Sequence, residues 1–266
     1  MNVLITKLVT IFTLSYLRYL VFAGLAYLIF YVWKKRDWFH LKIQKKFPGK
    51  EQMLREAGYS TLSIFIFAWM GLVVFWLHQH GHTKIYDNFS NHSVWYFLFS
   101  AVVFILAHDA YFYWTHRLMH WEKIYKYVHR THHLSTNPTP WAAFAFHPSE
   151  AVIEVSILFI MVFAIPLHPA AIVVWILYMT LLNVMGHVGF EIFPKGFTTH
   201  PIWKYQNTSV HHNMHHRLVR CNYGLYFNYW DRWCGTNHAD YHKEFEAVKS
   251  RSEAITNEEL RITEVI

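Results

Sequence analysis

The chain has 266 residues, of which 54% are hydrophobic, 19% aromatic and only 15% charged, with a net charge of +7. Soluble chains are about 45–50% apolar but about 25% charged, so the missing charge speaks against an ordinary water-soluble enzyme, and the apolar, glycine-poor composition excludes a disordered or collagenous chain. Two cysteines exclude a disulfide framework, and basic residues in loops beside apolar runs suit lipid headgroups or an acidic protein rather than nucleic acid.

A helix crosses the hydrocarbon with about 20 mostly apolar residues. The first such run extends from Ile11 to Trp33 and reads as an uncleaved span, with Arg18 placed to snorkel toward the headgroups. Ser60–Leu77 and Trp95–Tyr113 follow. Val152–Leu167 and Ala170–Met185 are separated by His168-Pro169, a break set by proline. These last two runs form either two crossings or a re-entrant hairpin, which leaves the count at four to five spans. Between Trp33 and Gly58 stand eight basic residues, whereas the Leu77–Val94 connection carries only Lys84. The positive-inside rule therefore puts the Lys34–Gly58 loop in the cytoplasm, and threading onward puts the clustered histidines on the same side. The expected fold is an all-α integral membrane bundle of four to five transmembrane segments with a cytoplasmic histidine-rich helical cap. It forms a single domain over 1–266, with the chemistry in 95–236 and a polar, helical or loose C-terminal tail over 237–266.

Histidine is the telling residue: there are 21, and fourteen lie between His108 and His216. His116 and His120 are four apart, so on a helix they occupy successive turns of one face. His108 precedes His116 by eight residues and points roughly the same way. His129, His132 and His133 fall at i, i+3 and i+4, and His212, His215 and His216 repeat that pattern beside His211. His187 ends the fifth apolar run. Isolated histidines such as His40, His78, His92 and His238 read as interface residues, and His168 as a loop residue. Eight histidines in HxxxH, HxxHH and HxxHH order are different, because burying them without metal demands a hydrogen-bond partner for every ring. Neutral imidazole suits zinc, iron, copper and nickel. So many nitrogens exceed what one ion needs and point to two ions, for which the spacing fits iron and zinc alike.

The segments HDAYFYWTHRLMH (108–120), HRTHH (129–133) and HHNMHH (211–216) resemble the histidine boxes of the fatty acid hydroxylase/sterol desaturase superfamily of membrane enzymes. FHPSE at 146–150, NVMGH at 183–187 and NYGLYFNYWDRWCGT at 222–236 extend the likeness over about half of the chain. The resemblance implies His116, His120, His129, His132, His133, His212, His215 and His216 as metal ligands, His187 as a ninth and His108 as a further candidate. It also implies two iron ions, with zinc as a substitute metal, and activation of O2 as co-substrate. Electrons come from a separate donor such as a cytochrome b5-like protein or a ferredoxin with its reductase, since no fused haem-binding segment is found.

Ligating imidazoles usually donate their second N–H to a carboxylate or carbonyl. Asp109, Glu150, Glu191 and Asp231 are the acidic residues nearest the boxes, and Glu150 stands out because it follows His147-Pro148 at the start of an apolar run. Asn183, one turn before His187, and His211, turned 100° from His212, are further supporting candidates. The Trp230–Thr236 turn reads as closing the cap. The reaction implied is hydroxylation or desaturation of an unactivated C–H bond in a membrane lipid, with a sterol-like substrate ahead of fatty acyl, sphingoid and alkylglycerol ones. Localisation follows as a bacterial inner membrane or endoplasmic reticulum. A histidine-rich metal-binding or transport protein is the non-enzymatic alternative; it would place ligands along a mid-membrane path rather than at one face.

Overall fold

The computed structural model describes residues 2–251 and is all-α. Four helices are long and apolar enough to cross a membrane. Helix α1 (Asn2–Tyr27) continues through a π-helical turn to Trp33, and is followed by α2 (Lys50–Gln79), α3 (Val94–Met119) and, later, α7 (Pro169–His187). Helix α6 (Pro148–Ala164), with 17 residues, lies against α2 and α3. At about 1.5 Å per residue it extends about 25 Å. The turn between α6 and α7 pairs with the α2–α3 loop: Lys84 N–H donates to Val162 O at 2.8 Å and Tyr86 N–H to Leu167 O at 3.0 Å. The α6–α7 hairpin therefore reaches the same pole as the α2–α3 loop.

Local chemistry fixes these boundaries. Both α6 and α7 begin with proline at the first helical position, where no N–H is needed. The preceding His147 and His168 cap them, each Nδ1 accepting from the backbone N–H two residues on, at 3.3 and 3.1 Å. Ser93 caps α3 in the same manner. The apolar runs understate the helices, since α2 starts ten residues before Ser60 with polar turns that stand in the cap.

The bundle is apolar inside and also exposes apolar side chains where a soluble protein would be polar. On α1, Tyr19, Ala23, Ala26 and Phe30 face inward, while Leu14, Leu17, Val21, Leu25 and Leu28 remain exposed, as a lipid-facing stripe requires. Arg18 departs from the snorkelling expectation. It lines a half-open cavity of the bundle, with Nε shielded and without a hydrogen-bond partner among the described residues.

At the opposite pole sits a cap built from α4 (Glu122–Val128), α5 (Arg130–His133), a 3-10 turn (Pro140–Phe144), α8 (Ser209–Leu218), α9 (Tyr229–Trp233) and α10 (Tyr241–Lys249). The basic 34–55 segment packs here: Gln44 bonds Asn213 Oδ1 at 2.9 Å and Arg55 bonds Leu134 O at 3.0 Å. The C-terminal tail opens as a docked helix, with Tyr241, Phe245 and Val248 of α10 burying one face against Val210 and Met214 of α8. The remainder of the expected tail, 252–266, lies outside the described residues.

Candidate metal centre

Nine histidines converge in two groups at the junction of bundle and cap. His116, His120, His129, His133 and His215 form one, and His132, His187, His212 and His216 the other; within each, one ring nitrogen per residue lies within 4.8 Å of all the rest. In the first, His116 Nε2 stands 2.9 Å from His129 Nε2 and 3.3 Å from His120 Nε2, and His133 Nε2 is 3.1 Å from His129 Nε2. In the second, His187 Nε2 lies 3.0 Å from His212 Nε2, 3.2 Å from His216 Nε2 and 3.4 Å from His132 Nε2.

The helices decide this partition. Successive residues turn about 100°, so neighbours in an HxxHH box face different directions. His132 and His133 therefore enter different groups, and His215 parts from His216 in the same way. Helix α4 stops at His129, which lets that ring join the first group from outside the short α5. On α8, His212 and His216 share a face one turn apart, and Thr208 caps the helix, its hydroxyl accepting from His211 N–H at 3.3 Å. Gly186 allows α7 and α8 to meet here, because a Cβ at this position would lie 3.4 Å from the His212 ring.

The outward nitrogens settle which inward ones carry lone pairs. A carbonyl only accepts, so His116 Nδ1–H donates to Tyr223 O at 2.8 Å, His187 Nδ1–H to Asn183 O at 2.7 Å and His215 Nδ1–H to Cys221 O at 2.6 Å. Their Nε2 atoms are then bare lone pairs directed at other imidazoles. His129 Nδ1–H donates to Glu150 Oε1 at 2.7 Å. Lone pairs crowded in this manner repel unless a cation stands among them, so the donor set fits metal. Burial, reinforced by neighbouring imidazoles, holds His129, His132, His212, His215 and His216 well below the usual histidine range. Burial likewise lowers His133 to about 3. The cap histidines are thus neutral near pH 7, the form that ligates metal. The two groups are able to hold a dimetal centre.

Other predicted residues take supporting positions. His108 joins neither group; its Nδ1 meets the Tyr226 hydroxyl at 2.7 Å and its side chain lines the cavity below. Asp109 accepts from Tyr226 N–H at 2.9 Å and Phe227 N–H at 3.2 Å, tying α3 to the 222–228 loop. Asp231 accepts from Tyr223 N–H at 2.8 Å and Gly224 N–H at 2.7 Å, which sets the Tyr223 carbonyl that holds His116. Asn183 contributes its backbone carbonyl to His187, while its side chain donates to Ala143 O at 2.6 Å. His211 is buried away from both groups, with Nε2 3.6 Å from Asp231 Oδ2. Glu191 accepts from Val210 N–H at 2.9 Å in the first turn of α8, and burial raises its carboxyl to about 7.

Sequence reasoning did not find the carbonyls of Tyr223 and Cys221, because any residue type supplies a carbonyl. The backbone around Cys221 is unusual: Val219 has φ 69° and Asn222 has φ 57°. A branched side chain at positive φ costs about 1–3 kcal/mol, and here it turns the chain off α8 to bring the Cys221 carbonyl back onto His215.

Residues 101–236 match the family of fatty acid hydroxylases. Two Delta(7)-sterol 5(6)-desaturases of Gibberella zeae are each 30% identical to the chain, over 83% of it and 65% of the first relative, and over 93% of it and 67% of the second. Lathosterol oxidase of Rattus norvegicus is 33% identical over 70% of the chain and 62% of its own length. The chain thus spans about two thirds of the length of these curated relatives. No solved structure is detectably similar. With the histidine boxes gathered into two groups and the family match covering half of its length, the chain belongs to the fatty acid hydroxylase/sterol desaturase superfamily of histidine-box membrane proteins.

Proposed function

We propose that the protein is an O2-dependent oxidoreductase that hydroxylates or desaturates an unactivated C–H position of a membrane lipid, with a sterol as the substrate class. The observation that carries this reading is the set of nine buried histidines whose ring nitrogens converge in two groups. In this reading His116, His120, His129, His133 and His215 hold one iron, and His132, His187, His212 and His216 hold the other. The iron pair, when bound, supplies the electrons' route to O2 and the oxidising power that removes hydrogen from carbon.

The chain's own residues have other tasks. Glu150 and the carbonyls of Tyr223, Asn183 and Cys221 orient the rings through Nδ1. The apolar wall of the cavity beneath, including Phe112, Phe146 and Trp175, excludes water and presents a lipid to the cap end of the bundle. Sterol chemistry is favoured by the names of the relatives. A cytoplasmic centre is favoured by the eight basic residues of the 34–55 segment, which packs on the cap. Their charge suits an acidic, separate electron donor of the cytochrome b5 or ferredoxin type.

Comparative lipid mass spectrometry of cells expressing wild type or the His132→Ala,His133→Ala variant, under air and under argon, tests the proposal. The expected product is a sterol that has gained one oxygen or lost two hydrogens, in air and with wild type alone. A product that persists under argon or in the folded double variant overturns it.

A further inference from the structure

Beside the second histidine group lies a smaller cavity of about 60 Å³, distinct from the cavity of about 130 Å³ beneath the centre. The two share only Asn183 and Leu225 in their walls. Asn183 is held by its bond to Ala143 O at 2.6 Å, so it and Leu225 form a partition. The small cavity reaches the His212 ring, and Gly186 keeps that space open, since a Cβ there would lie 3.4 Å from the ring. Its wall is chiefly apolar, from Leu182, Met185, Ile192, Phe193 and Leu225. The polar residues around it are engaged with the protein. The Thr208 hydroxyl accepts from His211 N–H at 3.3 Å and from the Tyr241 hydroxyl at 3.2 Å. The Ser209 hydroxyl donates to Met185 O at 2.7 Å, and Gln206 Nε2 donates to Tyr226 O at 2.9 Å. Both side-chain amide atoms of Asn207 are shielded. Ile192 is 39% exposed, so the cavity opens at the protein surface. On α7, Leu181 beside Leu182 is exposed as a lipid-facing side chain is.

We infer that this small cavity is the O2 site: it takes the gas from the bilayer and holds it against the second histidine group while a lipid fills the larger cavity. A water-sized guest needs about 10–15 Å³ on this measure, so the space admits a diatomic gas and excludes a lipid. Its chemistry selects between the small guests. A buried water needs about 2–4 polar partners, whereas an apolar cavity stays dry and takes guests such as xenon. O2 is apolar and leaves water for an apolar environment, so the bilayer is its reservoir and an opening beside exposed leucine its natural entrance. The partition of Asn183 and Leu225 keeps the lipid in the larger cavity from closing this route. The assignment to O2 rests on the O2-dependent reading above; the gas cavity itself does not.

Two measurements on the full-length protein test this. Crystals pressurised with xenon are expected to show an anomalous-scattering peak bounded by Leu182, Gly186 and His212, and to lose it in Leu182→Trp, whose indole fills the space. The oxygen dependence of lipid oxidation by iron-loaded protein is then compared in wild type, Leu182→Trp and Ile192→Trp. The last of these blocks the mouth from an exposed position, where the fold is least disturbed. In both variants kcat/KM for O2 is expected to fall about tenfold, while kcat at saturating O2 and KM for the lipid stay within about twofold of wild type. Leu181→Phe, which lines neither cavity, should keep wild-type values. Absence of xenon from this cavity in wild type, or an unchanged kcat/KM for O2 in both occluding variants, overturns the O2 site; lipid oxidation that continues in that case leaves the functional reading standing. A raised KM for the lipid with no change for O2 also overturns it, and makes the cavity part of the lipid site. Failure of wild type to oxidise any lipid in air refutes the functional reading and the assignment to O2 with it, whatever xenon shows.

Discussion

Glu150 offers the sharpest single perturbation of the metal centre. Its Oε1 accepts from His129 Nδ1–H at 2.7 Å, and the residue is 1% exposed, so water cannot replace it. Truncation to alanine leaves a buried N–H unsatisfied at a cost of about 1–3 kcal/mol. His129 touches both His116 and His133 of its group, at 2.9 and 3.1 Å, so a ring free to rotate loosens the whole set. At about 1.4 kcal/mol per factor of ten, metal affinity should fall about 10- to 100-fold in Glu150→Ala. Glu150→Gln keeps the acceptor but not the charge and should fall near the lower bound. Competition with a graded chelator on detergent-purified, metal-loaded protein reads this directly. Wild-type metal retention in Glu150→Ala, with the variant folded in membranes, refutes the role given to this carboxyl.

Gly224→Ala should weaken metal binding without touching a histidine. Its Cβ would collide with the Phe227 carbonyl and lie 2.8 Å from Asp231 Oδ2, displacing the turn that carries the Tyr223 carbonyl; unchanged metal retention would count against this. Lys42 is fully buried, 3.3 Å from Gly189 O, and burial brings its ammonium down from 10.5 to about 7. Between these values the unfolded chain binds more protons, so wild-type stability should rise with pH across that window and the cost should be complete below it. Thermal unfolding of Lys42→Met should lack this rise, and parallel pH profiles for the two proteins would contradict the assignment.

The sequence is legible where structure is local. Helical spacing brings His116 and His120, or His212 and His216, onto one face because residues four apart lie one turn apart, and long apolar runs announce spans by their length. Glu150 could be singled out because His147-Pro148 marks a helix start. What could not be read depends on distant segments. The division of each HxxHH box between two groups needs the crossing of α5, α7 and α8. The Tyr223 and Cys221 carbonyls leave no residue-type signal. Arg18 looks like a snorkelling residue on an isolated helix, and only the packing of α1 against the other spans turns it toward the cavity. The depth of the α6–α7 hairpin likewise depends on pairing of Leu167 with the 84–86 strand of loop, 80 residues away in the case of Lys84 and Ala164.

Metal stoichiometry in paired variants addresses the central claim most directly. Elemental analysis of protein purified from iron-replete cells should give two ions per chain in wild type. Removing His212 and His216 together, which strips half of the second group while leaving the first intact, should leave one. A wild-type stoichiometry of one, unchanged in the His212→Ala,His216→Ala variant, would contradict a centre built from two groups of histidines.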